Sequence, residues 1–152
     1  MFIQALVTYF HFMGIFTMIT VLVLEAVLFK PEPSRSIVKI IMKADIMYGI
    51  AAVVIALTGA LKLFYFGKGF NYYAHNHIFW TKIMLFTFIG LLSIYPTIVF
   101  LSWRKEIKQD RLPELSLKQF SIISRIIIAE IVLFLFIPFC ATLMARGFGY
   151  VA

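Results

Sequence analysis

Charge is scarce in this sequence. Only 14% of its 152 residues are Asp, Glu, Lys or Arg, against about 25% in an average soluble domain. A water-soluble domain of this length has too much surface for that composition, because its exterior would have to be largely apolar. Cysteine occurs once, at Cys140, which excludes an intrachain disulfide and a cysteine-built metal centre. Inside an apolar run this thiol reads as a small packing residue. No phosphate-cradling glycine loop and no nucleophile elbow is present, and Gly67-Lys68-Gly69 reads as a turn. The opening Met1-Phe2-Ile3-Gln4 has no basic residue, so it is a poor secretory leader and the first apolar run is expected to be permanent.

What is abundant is apolar side chain. Hydrophobic residues make up 62% and aromatics 17%, with 17 Phe, and the mean hydropathy is +0.97. A helix needs about 20 apolar residues to cross the hydrocarbon core of a bilayer. Four stretches qualify, at about 2–29, 46–66, 78–103 and 121–145. Backbone polar groups in lipid must be paired within the protein, and these runs lack the alternation of barrel strands, so each reads as a helix. The expected fold is a single membrane domain over 1–152, an all-α antiparallel bundle of four transmembrane helices. Pro96 and Pro138 fall inside the third and fourth spans and are expected to kink them.

The net charge of +7 has the same explanation. Lys30, Arg35, Lys39 and Lys43 follow the first span, and Arg104, Lys105, Lys108, Arg111 and Lys118 follow the third. The middle connection has only Lys68 and the tail only Arg146. This pattern is an orientation signal rather than a nucleic-acid surface, and it places both termini and the 67–77 loop outside. Phe64, Tyr65, Phe66, Phe70, Tyr72, Tyr73, Phe79 and Trp80 crowd that outer loop, where most would serve as headgroup-level anchors. A bacterial inner membrane is the expected location. The lipid bilayer is the expected partner, and the pattern leaves homo-oligomerisation open.

Ionisable side chains within a span are costly, so each is a functional candidate. His11 follows about nine helical residues, which places it roughly 13 Å along the first helix. An imidazole there can ligate a metal or a haem iron; the commoner alternative is a hydrogen bond to a neighbouring helix or to its own backbone. Lys82 begins a parallel helix at a similar depth, and snorkelling to the headgroups is its ordinary role. Lys62, close to Phe66, is the better candidate for snorkelling. Gly49, Ala52, Ala56 and Gly59 share one face of the second span with Asp45. Such a strip usually permits close helix approach; the alternative is room for a flat ligand. Toward the inner side Glu25, Asp45 and Arg125 are expected to form a salt-bridge network. Glu130 lies deeper, protonated or paired, with a proton-relay role as its functional alternative. His75 and His77 flank Asn76 in the outer loop, and two imidazoles are too few for a closed zinc site; Asn76 or His77 is expected near the start of the third helix.

The runs Tyr9-Phe10-His11-Phe12-Met13-Gly14, Lys43-Ala44-Asp45-Ile46-Met47-Tyr48-Gly49, Phe64-Tyr65-Phe66-Gly67-Lys68-Gly69 and Phe79-Trp80-Thr81-Lys82 resemble a family of small predicted bacterial membrane proteins of unknown function. A more distant resemblance is to the HemJ-type protoporphyrinogen oxidases, small haem-binding membrane proteins. These have a His early in one span and a Lys at the start of a later one, and His11 and Lys82 look like those positions. That resemblance implies haem b held by His11, with Lys82 as second ligand or propionate partner, and a porphyrinogen or quinone as substrate. The chain departs from that family at Leu24-Glu25-Ala26-Val27-Leu28-Phe29, where a Pro-Arg-Leu-Phe-like stretch ending in Tyr-His would stand. A non-catalytic helix bundle that serves as accessory subunit, or binds or transports a small apolar molecule, is the alternative from the residues alone.

Overall fold

A computed structural model describes residues 1–67 and 69–150. Lys68, at the centre of the expected turn, and the last two residues lie outside the described residues. Four long helices run antiparallel: α1 (Phe2–Leu28), α2 (Arg35–Leu61), α4 (His77–Lys108) and α5 (Leu117–Ala145). A π-helical turn, Lys62–Phe66, extends α2, and a one-turn helix α3 (Phe70–Ala74) precedes α4. All four long helices are long and apolar enough to cross a membrane. Large apolar side chains such as Phe16, Val53, Met84, Ile98 and Leu135 cover the outside of the bundle, as lipid contact requires.

The helices overrun the apolar windows at the end that carries the basic residues. The second begins at Arg35 rather than near 46, the third continues to Lys108 rather than 103, and the fourth begins at Leu117 rather than 121. Hydropathy marks where a helix enters the hydrocarbon, whereas helix ends are set by caps. The Ser34 hydroxyl accepts from the Ile37 amide at 3.4 Å. Ser116 and Gln119 form a reciprocal capping box, with the Gln119 amide donating to Ser116 Oγ at 3.1 Å. Lys105 and Lys108 occupy the last turn of α4, where cations complement the helix dipole. The basic residues counted as loop thus extend the helices past the apolar layer. Arg35, at the start of α2, pairs with Asp110 in the α4–α5 connection.

Within the bundle α1 packs mainly on α2 and α4 mainly on α5, while α1–α5 and α2–α4 contacts close the ring. Gly14 sets the α1–α2 approach. A Cβ there would stand 2.9 Å from Ile55 Cγ1 and 3.4 Å from the Ala51 carbonyl oxygen. One apolar cluster fills the basic end, where Phe29 stacks on Phe120 at 5.3 Å beside Phe100, Trp103, Ile123 and Ile127. A second lies at mid-depth around Met18, Leu22, Ala51, Ile55, Ile89 and Phe134. The opposite end, which carries the termini, is closed by polar clasps. Gln4 donates to the Phe66 carbonyl at 3.0 Å. Asn76 caps α4 through the Ile78 and Phe79 amides and donates to the Phe148 carbonyl at 3.1 Å. Gly149 lies at φ +80°, and a Cβ there would stand 2.9 Å from Asn76 Oδ1.

Candidate functional site

His11 lies half-buried on α1, facing the last turns of α2. Its Nδ1 is 2.8 Å from Thr58 Oγ1. Thr58 in turn donates its hydroxyl proton to the Val54 carbonyl at 2.5 Å, as threonines inside helices commonly do. With that proton committed, the hydroxyl can only accept from the imidazole. This geometry favours the tautomer with the ring hydrogen on Nδ1 and the lone pair on Nε2, and the Ile55 backbone is a second hydrogen-bond partner of the ring. The interhelical hydrogen bond expected as the ordinary role of His11 is thus formed. Histidines that bind metal donate their second ring N–H to a fixed acceptor, which locks tautomer and ring orientation. Thr58 was not among the sequence candidates. A threonine in an apolar helix is a common back-bonded residue, and nothing local marks one as the partner of a side chain 47 positions earlier.

Two ammonium groups stand near this imidazole. Lys62 and Lys82 are both close enough to act on it electrostatically. Lys62 Nζ lies 5.9 Å from the Phe12 ring centroid and Lys82 Nζ 5.5 Å from that of Phe79, within the range of cation–π attraction. Lys82 is half-buried, near enough to Lys62 and to Cys140 of α5 to interact with them electrostatically. Three helices therefore deliver basic side chains to the half of the bundle near the termini.

The small-residue strip on α2 has a different place from the usual one. The close α1–α2 approach uses Gly14 against Ala51 and Ile55, not the strip. Ala52 is half-buried against the mid-depth cluster, and Gly49 and Ala56 are exposed. A Cβ on Gly49 would meet nothing within 4 Å, and one on Gly59 would come 3.7 Å from His11 Cε1. Asp45 begins the strip and accepts from Thr97 of α4 at 2.7 Å, so the strip faces the α4 side of α2. It ends beside His11 as a face with little bulk.

The inner salt-bridge network is not formed. Arg125 is exposed, and Arg35–Asp110 is the ion pair among the described residues. Arg125 precedes Glu130 by five residues, which turns it about 140° around α5 from that buried carboxyl. Glu25, Asp45 and Glu130 instead meet one another in the interior. In the terminal loop His77 opens α4, and His75 Nδ1 lies 2.9 Å from the Asn71 carbonyl oxygen. No group of three His, Cys, Asp or Glu among the described residues is placed to hold a metal ion.

No curated protein and no solved structure matches the chain, so the resemblance to HemJ-type oxidases rests on the His11 and Lys82 positions alone. Residues 3–149 match a family described as "Predicted membrane protein (DUF2214)". That match covers nearly the whole chain, and this four-helix membrane protein belongs to that family.

Proposed function

We propose that this protein binds haem b in the half of the bilayer nearer its termini, with His11 Nε2 as the iron ligand. The observation that carries the reading is the His11–Thr58–Val54 relay, which favours the tautomer with its hydrogen on Nδ1 and its lone pair on Nε2. The surrounding donor set fits the group. Lys62 and Lys82 supply two cations for two propionates, and the Gly49–Ala52–Ala56–Gly59 strip beside His11 offers a surface with little side-chain bulk. Bound haem would supply one-electron redox chemistry, and a porphyrinogen or a quinone is the substrate class that reading favours. The protein's own part is to hold the imidazole at one angle, neutralise carboxylates at the membrane surface and exclude water.

The test is optical. Protein purified from haem-replete cells should show a Soret band. His11→Ala should abolish or strongly shift it while the chain still inserts. Lys82→Met should change it less if the ammonium pairs with a propionate, and should change the spin state if the amine binds iron. Colourless protein that takes up no added haemin overturns the proposal. One observation favours a second reading, a binding module for a small apolar molecule. An open groove of about 280 Å³ runs between α1 and α2, lined by Phe10, Met13, Gly14, Met47, Ile50 and Val54. That reading predicts colourless protein with a co-purifying lipid or other apolar ligand.

A further inference from the structure

At mid-depth, between the two apolar clusters, three carboxyl groups arrive from three helices. Glu25 of α1, Asp45 of α2 and Glu130 of α5 line one small space with Tyr48, Ser93 and Pro96. They are 3%, 6% and 2% exposed, and Tyr48 is 5% exposed. Asp45 Oδ1 accepts from Thr97. Glu25 Oε1 and Glu130 Oε1 have no hydrogen-bond partner, and the Tyr48 hydroxyl has Ser93 as its side-chain neighbour. The carboxyls are close enough to act on one another electrostatically.

Among the described residues no basic side chain faces this space. Lys30 beyond α1, Lys43 on α2 and Arg125 on α5 are all exposed, and α4 contributes the neutral Ser93, Pro96 and Thr97, with Tyr95 turned outward. Neighbouring carboxylates out of contact with water and without a cation are too costly to persist together. Something positive must therefore occupy the cluster. A carboxyl that holds a proton becomes a donor as well as an acceptor, so protons on the cluster let its unpartnered oxygens and the phenol satisfy one another. They need no further room in the tight space.

We propose that Glu25, Asp45 and Glu130, with Tyr48, form an occluded proton-binding site that takes exchangeable protons from water. Met18 and Leu22 close it toward the termini, and Phe29, Ile41, Phe100 and Ile127 close it toward the basic end. Loading requires one of these layers to part. Pro96 at the site removes a donor from the α4 ladder, which makes α4 the helix that can bend there. The site is independent of the haem reading, because its residues are separate from His11, Lys62 and Lys82.

Infrared spectroscopy of the full chain in nanodiscs tests this directly. At neutral pH the exposed carboxyls are ionised, so a protonated-carboxyl C=O band belongs to buried groups. The wild type should show such a band, and it should shift slowly in D2O. Glu25→Gln and Glu130→Gln should each remove a share of it. Tyr48→Phe, which keeps every carboxyl, should move its frequency by removing a hydrogen bond. Absence of the band in the wild type overturns the proposal regardless of how the variants fold. A band that disappears on adding NaCl, but not choline chloride, also overturns it in favour of a sodium site.

Discussion

Replacing Thr58 with Val isolates the interaction on which the haem reading depends. Valine preserves the β-branched shape and exchanges a hydroxyl for a methyl group. The Val54 carbonyl keeps its helical partner, so the group that loses its side-chain partner is the His11 Nδ1–H. An unpartnered buried donor costs about 1–3 kcal/mol in a protein interior. Interhelical hydrogen bonds in membranes measure lower, averaging about 0.6 and reaching about 1.7 kcal/mol, because the separated helices find other partners. His11 is only half-buried, so the lower scale applies and a loss of about 1 kcal/mol is expected. The assay is a double-mutant cycle of Thr58→Val with His11→Phe, read by denaturant unfolding in detergent micelles. The coupling energy should be positive and about 0.6–1.7 kcal/mol. The same Thr58→Val change should weaken haem retention about 10–100-fold, the usual cost of losing the group that orients a ligating histidine. If the two substitutions add with no coupling, the relay is not formed in the folded protein, and the argument for a lone pair on Nε2 fails with it.

Gly14→Leu should disrupt the α1–α2 contact, since its first side-chain carbon already meets Ile55 at 2.9 Å; the expected loss is about 1–3 kcal/mol or more, visible as a lowered melting temperature, and an unchanged value would mean that the helices are farther apart than described. Arg125→Ala should leave stability within about 0.5 kcal/mol, because the side chain is exposed and outside the buried carboxyl cluster, whereas a loss of several kcal/mol would restore the network in which it was expected. Asp45→Ala should destabilise by about 1–3 kcal/mol as Thr97 loses its acceptor, and Asp45→Asn should recover most of that loss. A reporter fused after Ala152 should be active on the outer side of the membrane, given nine basic residues at one end of the bundle and two in the remaining connection and tail; cytoplasmic activity would reverse the orientation.

The span count was legible in the chain because it depends on a local quantity, the run of apolar residues needed to replace water around a backbone. The Asn76 cap was legible for the same reason. Asn76 at the start of α4 acts through amides two and three residues away, and such signals need no tertiary partner. Helix ends were misplaced where polar turns continue beyond the lipid, as at Arg35 and Lys108, since hydropathy measures solvent preference and not backbone conformation.

Which faces meet was decided by packing alone. A soluble helix shows its buried side by being polar elsewhere, but in lipid both sides are apolar, and the rotation of each helix leaves little trace in its composition. That is why Gly49 and Ala56 looked like a contact seam and are exposed, while Gly14 makes the close approach. It is also why Arg125 could be paired on paper with Glu25 and Asp45, although the fold turns it outward and brings Glu130 to them instead. His11 and Lys82 were found from their depth, which sequence position determines at about 1.5 Å per residue. Thr58, which favours one tautomer of His11, became visible only when α1 and α2 were laid side by side, because a hydrogen bond between helices depends on the angle at which two apolar surfaces interlock.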